Sequence, residues 1–395
     1  MSREAGAQRE HLELVTTAMA SGGDAVAHDT GGRVVFVRGA LPGERVGVRL
    51  VAEHTRYANA SIDEVVEPSP HRVAPPCPEV ERGCGACPWQ HISTSTQRDL
   101  KVQFIVEALE RAGVRCPAPS PSVGLAPWAF RTTIKAAVVD GRAGFLRTRS
   151  HLMVPVDSCL IAHPLLVDLL VGTRYPGASQ VLLRCGARTG ERLAATTPSG
   201  LELRLPSDVH ADHVHEQAAG RLWRISARSF FQSRPDGADA LAELVRSAAD
   251  EMGVPTTAVD LYCGVGLFAG VLAARGWSVT AVEGSQSAVA DAESNLRDFD
   301  VSVVHADVTM WTPPQADLVV ADPSRIGLGQ RGVEVIVATG ARRVVLISCD
   351  AAGLGRDAAL LDRAGYALRA VTPVDLFPHT FRVEAVTVYG RRGVR

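Results

Sequence analysis

The stretch V-D-L-Y-C-G-V-G-L-F-A-G, residues 259–270, decides how this chain folds, because a β-strand composition runs into a glycine turn and then into a helix start. Gly264 and Gly266 let the backbone turn tightly and approach a ligand. Asp260 and Tyr262 sit toward the end of the strand, and residues 267–275 can continue as helix. A second strand, 277–282, ends in Glu283. An acid about 20 residues past such a turn, at the tip of the next strand, is where ribose hydroxyls are gripped, so the expected ligand carries a ribose. The spacing G-x-G-x-x-x-G lacks the third glycine of a pyrophosphate cradle. That favours S-adenosylmethionine over a nicotinamide cofactor, with a bare packing turn as the remaining alternative.

Working outward, strands are readable at 256–262, 277–282, 301–305, 317–321, 343–348, 366–374 and 381–389, with helices between the first six. The alternation predicts an α/β, doubly wound, largely parallel sheet closed by an antiparallel C-terminal hairpin, the architecture of class I methyltransferases. Ligands of such sheets bind beyond the carboxyl ends of the strands. There the chain places D-P-S-R from Asp322, then Cys349, then F-P-H-T-F-R-V-E ending in Glu384 inside the last hairpin.

Upstream, residues 10–67 alternate short β-rich runs with glycine and proline turns and predict a five-strand OB-like barrel. With the turn A-L-P-G-E-R at 40–45, this segment resembles the TRAM domain, which implies RNA contact; a purely structural barrel is the alternative. A mixed α+β central region follows, opening with a helix at 95–112. The expected division is 1–67 barrel, 68–228 central domain and 229–395 methyltransferase domain.

Eight cysteines in a chain expected to be cytoplasmic point to metal binding or reactivity rather than disulfides. Cys77, Cys84 and Cys87 fall within a loop rich in glycine and proline, and Cys159 is the best fourth sulfur. Thiolate-only ligation suits zinc or an iron–sulfur cluster, and spacing does not separate them. Residues 128–151 interleave Arg131, Lys135, Arg142, Arg147 and Arg149 with Trp128, Phe130 and Phe145. That composition fits a single-strand RNA surface, and it equally fits a hairpin with a solvated face and an aromatic core face.

Composition excludes a disordered chain, with 46% hydrophobic and 21% charged residues, and a net charge of −2 argues against nucleic-acid binding over the whole surface. All but two of the 41 basic residues are arginine. No apolar run approaches the roughly 18 residues that cross a bilayer, and the start has no hydrophobic signal core, so neither a membrane nor an obligate protein partner is expected.

A thiol beside a methyl donor suits methylation of a pyrimidine carbon 5: the thiolate adds to carbon 6, the methyl transfers, and a base removes the carbon 5 proton. Cys349 would be the nucleophile and Glu384 the base, with Asp322 binding the polar edge of the ring and also counted among the residues that hold the cofactor. Arg325 and Arg356 are candidate sources of the positive setting a reactive thiol needs.

In this order, the barrel, the cysteine loop, F-x-Q, D-L-Y-C-G-V-G-L-F, D-P-x-R, S-C and F-P-x-T-x-x-V-E resemble the RNA 5-methyluridine methyltransferase family over almost the full chain. The resemblance implies a 4Fe-4S cluster on Cys77, Cys84, Cys87 and Cys159. It implies S-adenosylmethionine held by Gln232, the glycine loop and Glu283, with Asp307 near the adenine, and it leaves Cys263 to packing. The implied partner is structured RNA, tRNA or rRNA. Arg234 replaces a usual asparagine, S-C-D-A at 348–351 replaces S-C-N-P, and Arg382 replaces a usual histidine. Rival readings are an RNA-binding or RNA-folding protein with a vestigial methyltransferase domain, or an enzyme acting on cytosine or a small molecule.

Overall fold

The computed structural model describes residues 11–393; the first ten residues of the expected barrel domain lie outside that range. Strands β1 (His11–Met19), β2 (Ala25–His28), β3 (Val34–Arg38), β4 (Arg45–Glu53) and β5 (Tyr57–Glu67) close a barrel in the order β1-β2-β3-β5-β4. Leu14, Ala25, Ala27, Val35, Val37, Val46, Val48, Ala58 and Ala60 turn inward. Their period of two is the strand period that the sequence alternation predicted. Glu44 is fully enclosed and fastens the barrel to the next segment by accepting from Leu41 N (2.8 Å), Ser69 N (3.1 Å) and both Arg72 Nε and Nη2. Burial pushes its carboxyl up, but the Arg72 pair and the two backbone donors outweigh that and hold it below the usual range.

The middle of the chain supplies α1 (Thr94–Arg111), β6 (Thr133–Val139), β7 (Arg142–Leu146), β8 (Met153–Pro155), the short α2 (Pro164–Val167), β9 (Gln180–Cys185), β10 (Arg192–Thr197) and β11 (Val209–His210). These strands form a sheet in the order β11-β10-β9-β6-β7-β8, and β12 (His213–Ala218) pairs with β13 (Arg221–Ser226) as a separate hairpin.

The remainder comprises α3 (Pro235–Asp250), β14 (Thr257–Leu261), α4 (Leu267–Ala273), β15 (Ser278–Glu283), α5 (Gln286–Leu296), β16 (Val301–His305), β17 (Leu318–Ala321), α6 (Gly329–Thr339), β18 (Arg343–Ser348), α7 (Ala351–Arg363), β19 (Tyr366–Pro373) and β20 (Ala385–Arg391). The sheet order is β16-β15-β14-β17-β18-β20-β19, parallel through β18 and antiparallel at β20 and β19. Strand residues alternate between its two covered faces: Leu318 and Val320 pack with α3, α4 and α5, while Val319 and Ala321 pack with α6, α7 and α1. The fold is therefore a class I methyltransferase sheet preceded by an OB-like barrel and a mixed α+β region.

Three details depart from the sequence reading. The gap between β16 and β17 holds only a 3-10 turn, Val308–Met310, because the following Trp311-Thr312-Pro313-Pro314 cannot propagate a helix. The last strand begins at Ala385 rather than 381, so Phe377 to Glu384 form a loop. Packing also cuts across the expected domain division: α1 shares a core with α7 and the barrel, and Trp223 and Ile225 of β13 share one with α3, α4 and α5.

Candidate active site and cysteine site

The sheet changes winding direction between β14 and β17, and the crevice beyond their carboxyl ends is where such sheets hold ligands. Asp322 follows β17 and Cys349 follows β18. Antiparallel register pairs Ser348 with Ala385, so the residue after one and the residue before the other, Cys349 and Glu384, emerge side by side. Gln232, from the loop before α3, donates through Nε2 to Asp322 Oδ2 at 3.2 Å. The two carboxyls and the thiol share a poorly solvated spot. Burial pushes the Asp322 carboxyl up to about 7 against the Gln232 hydrogen bond. Burial and then Asp322 push Glu384 well above its ordinary value. Burial, then Glu384 and Asp322, push the Cys349 thiol up to about 11, with Arg325 opposing. Arg356 plays no such part; it is exposed on α7, and its charge acts on Asp357.

The glycine turn is braced from both ends. Glu283 accepts from Gly264 N (3.0 Å) and from Ser285 N (2.7 Å), which fixes the carboxylate at the tip of β15. Gly266 adopts φ +96, and a side chain there would run into Leu296 of α5. Tyr262 holds φ 61, a region costly for a residue with a Cβ and typical of sites where the fold dictates the backbone. Asp307 caps the 3-10 turn through Thr309 N at 2.8 Å. Asp260 holds the next-to-last position of β14. It is fully enclosed within β14 and accepts from Ala269 N of α4 at 2.8 Å, and burial pushes its carboxyl well up. Through Oδ2 it supports the turn from beneath, and its buried Oδ1 has no hydrogen-bond partner.

Cys77, Cys84, Cys87 and Cys159 line one small cavity with Phe145 and Gln90. Glu79 brings the two segments together: its Oε1 accepts from Asp157 N and Ser158 N, both at 3.0 Å, immediately before Cys159. Gln90 Oε1 accepts from Cys77 N at 3.2 Å. Burial pushes Cys84 up to about 11, Cys87 to about 12, and Cys159 upward. Among the described residues no three histidine, cysteine or acidic side chains are closed to metal-binding geometry. The donor set nonetheless fits a thiolate-ligated group, because four thiols meet in one cavity.

Two family models match, the TRAM domain over residues 13–62 and a methyltransferase domain over residues 259–322. An RNA methyltransferase of Streptomyces avermitilis is 36% identical across 96% of this chain and 98% of its own. The 23S rRNA (uracil(1939)-C(5))-methyltransferase of Aeromonas hydrophila is 31% identical across 91% of this chain and 92% of its own. The chain belongs to the RNA uracil-5-methyltransferase family. Its fold matches the crystal structure of the Pyrococcus abyssi tRNA (uracil-54, C5)-methyltransferase in complex with S-adenosyl-L-homocysteine, with a TM-score of 0.74 over 96% of this chain and 100% of that one, at 21% identity.

As an RNA uracil-5-methyltransferase family member, the protein absorbs two of its three departures structurally. Arg234, 1% exposed, pairs with Asp236, donates to Ala126 O at 2.9 Å and covers the Phe130 ring. Asp350 caps α7 by accepting from Gly353 N at 2.7 Å. Segment 128–151 resolves toward the core reading for its aromatics. Trp128 stacks on His379, Phe130 is buried beside Cys87, and Phe145 faces the cysteine cavity. Arg131 is drawn toward Cys87 and Cys159, Arg142 pairs with Asp157, and Arg149 pairs with Asp24. Lys135 and Arg147 remain exposed.

Sequence reasoning missed the clamp on the loop that ends in Glu384. His379, at φ 63, receives Trp89 N on its carbonyl (2.9 Å), donates its own N–H to Gln97 Oε1 (2.6 Å), and meets Pro127 O through Nε2 (3.0 Å). Lys101 reaches Asp375 at 2.7 Å and Phe377 O at 2.8 Å. The only signal was the histidine inside F-P-H-T; nothing local marks Gln97 or Lys101 as its partners.

Proposed function

We propose that this protein is a cytoplasmic enzyme that transfers the methyl group of S-adenosylmethionine to carbon 5 of a uridine in structured tRNA or rRNA, through a covalent cysteine adduct. The observation that carries the reading is the juxtaposition of Cys349 and Glu384, the residues next to the paired Ser348 and Ala385 at the end of the β18–β20 register, near Asp322. Relatives named as RNA methyltransferases along nearly the whole chain, one of them acting on uracil carbon 5, support it.

When bound, S-adenosylmethionine supplies an electrophilic methyl group. Gln232, Tyr262, Gly264, Gly266, Glu283 and Asp307 would hold it, and the Glu283 carboxylate retains acceptor capacity for ribose hydroxyls beyond its two backbone donors. The Cys349 thiol gives its proton up to solvent, leaving Glu384 ionised, and Sγ bonds to carbon 6 of the uracil, moving the ring's electron pair toward carbon 5 and its carbonyl oxygen. Asp322 orients the polar edge of the base. After carbon 5 has gained the methyl, the Glu384 carboxylate takes the carbon 5 proton. The pair left behind reforms the double bond and expels the Cys349 sulfur. Such a base must leave its stack to reach a site this enclosed.

A 4Fe-4S cluster on Cys77, Cys84, Cys87 and Cys159 is the group that best suits the four-thiol cavity, with Arg131 offsetting part of its negative charge. Zinc is the alternative at the same residues.

The deciding test uses Glu384→Gln with S-adenosylmethionine and a uridine-containing RNA. Addition and methyl transfer should proceed and elimination should stall, leaving a protein–RNA species that survives denaturing electrophoresis. Normal turnover by Glu384→Gln would remove Glu384 as the base.

A further inference from the structure

The third departure, Arg382, is not absorbed by the fold. Its guanidinium makes no hydrogen bond or ion pair among the described residues; the only polar contact of the residue is its backbone N–H to Thr380 Oγ1 at 3.2 Å. Yet the side chain is half-buried and lines the same small cavity as Cys349, Asp350, Phe381 and Ser21. Burial and the charge of Arg325 work against its positive form, while Asp350 and Cys349 favour it. Asp350 is already engaged in capping α7. A partly desolvated cation near a second cation, whose nearby acid makes no ion pair with it and is engaged at α7, costs free energy until an anion arrives. The guanidinium lies over the Phe381 ring at 5.1 Å, which restrains the plane of the fork beside the nucleophile. Ser21, from the turn between β1 and β2, is exposed at the cavity mouth, so the cavity opens where the barrel meets the catalytic loop.

We propose that Arg382 binds a backbone phosphate flanking the target uridine, and so fixes the ribose-phosphate of the extruded nucleotide while its base sits at Cys349. This rests on the reading of the protein as an RNA uracil-5-methyltransferase. The chemistry is that of a planar, permanently charged fork matched to two phosphate oxygens, which a titratable imidazole at the same place would supply only when protonated.

The test pairs the protein with RNAs in which one of the two phosphates flanking the target is replaced by an uncharged methylphosphonate. Against native RNA, Arg382→Gln should raise KM by about tenfold or more, with kcat falling much less, and should flatten the log–log salt dependence of binding by about 0.7, one single-strand phosphate. Arg382→Lys should keep the salt slope and recover part of KM. For one of the two positions, the methylphosphonate should weaken wild-type binding as much as Arg382→Gln does, and should have no further effect on Arg382→Gln. Independent, additive losses at both positions, or an unchanged KM and salt slope in Arg382→Gln, would overturn the assignment. Absence of methylation by the wild-type protein on any RNA would instead overturn the functional reading beneath it.

Discussion

Two sets of cysteines in this chain have similarly perturbed thiols and different neighbours. At Cys84, Cys87 and Cys159 burial is the first cause of the upward push, and the groups around them are backbone donors, Gln90, Arg131, one another and, last and at Cys84 alone, the Glu79 carboxyl. At Cys349 burial also comes first, pushing the thiol up to about 11, but the next causes are the carboxyls of Glu384 and Asp322. Perturbation alone therefore does not distinguish a ligand from a nucleophile. Thiols facing one another can all be deprotonated together by one metal centre, whereas a single thiol beside two acids has groups that can move protons during a reaction.

The sharpest way to break this contrast is to remove one thiol of each kind. Cys349→Ala should lower methylation by about 10⁴-fold or more and form no RNA adduct, with the melting temperature little changed because the residue is half-buried at a strand end. Residual activity near wild type would end the covalent mechanism. Cys159→Ser should have a smaller effect on chemistry and a larger one on the fold. Anaerobically purified protein should lose its iron and brown colour and melt several degrees lower, with S-adenosylmethionine affinity within about twofold of wild type. A colourless wild type carrying one zinc would reassign the cavity while preserving the contrast.

The smallest expected effect is in pH. The folded protein keeps the Asp322 proton up to about pH 7, whereas the unfolded chain releases it near the ordinary value of 3.8. Over that window the native state binds more protons, so this contribution to stability is full below the window and is lost as pH rises through about 7. Above it the carboxylate is charged and favours a sulfonium. S-adenosylmethionine should bind a few-fold tighter at about pH 8 than at about pH 6, while S-adenosylhomocysteine, uncharged at sulfur, should not. Asp322→Asn should remove the difference; equal pH dependence of both ligands by calorimetry would place the sulfonium elsewhere.

Much of the fold was legible because its signals are local. The glycine turn at Gly264 and Gly266 and the alternating apolar runs gave the parallel sheet, and the residues just past β17 and β18 gave Asp322 and Cys349. Illegible features depend on distant partners. Asp260 reads as a strand-end acid but is enclosed by the strand's neighbours and by α4. Phe381, Arg382 and Val383 have strand-forming composition, yet the hold of Gln97 and Trp89 on His379 keeps that segment a loop. Arg131 looks like its exposed arginine neighbours, and only the fold turns it toward Cys87 and Cys159.

The clamp on His379 also bears on modularity. Its donors and acceptors, Trp89, Gln97 and Pro127, precede it by more than 250 positions, and Lys101 anchors Asp375 across a comparable separation. Residues 229–395 hold Cys349, Glu384 and the glycine turn, but not the parts that set where the Glu384 loop lies. The methyltransferase unit is consequently not a cassette. Transplanted without the segment from the cysteine loop through α1, it would carry its chemistry without its alignment, and recombination of this protein with a relative would succeed only at joints that keep Trp89, Gln97 and Lys101 with the loop they grip.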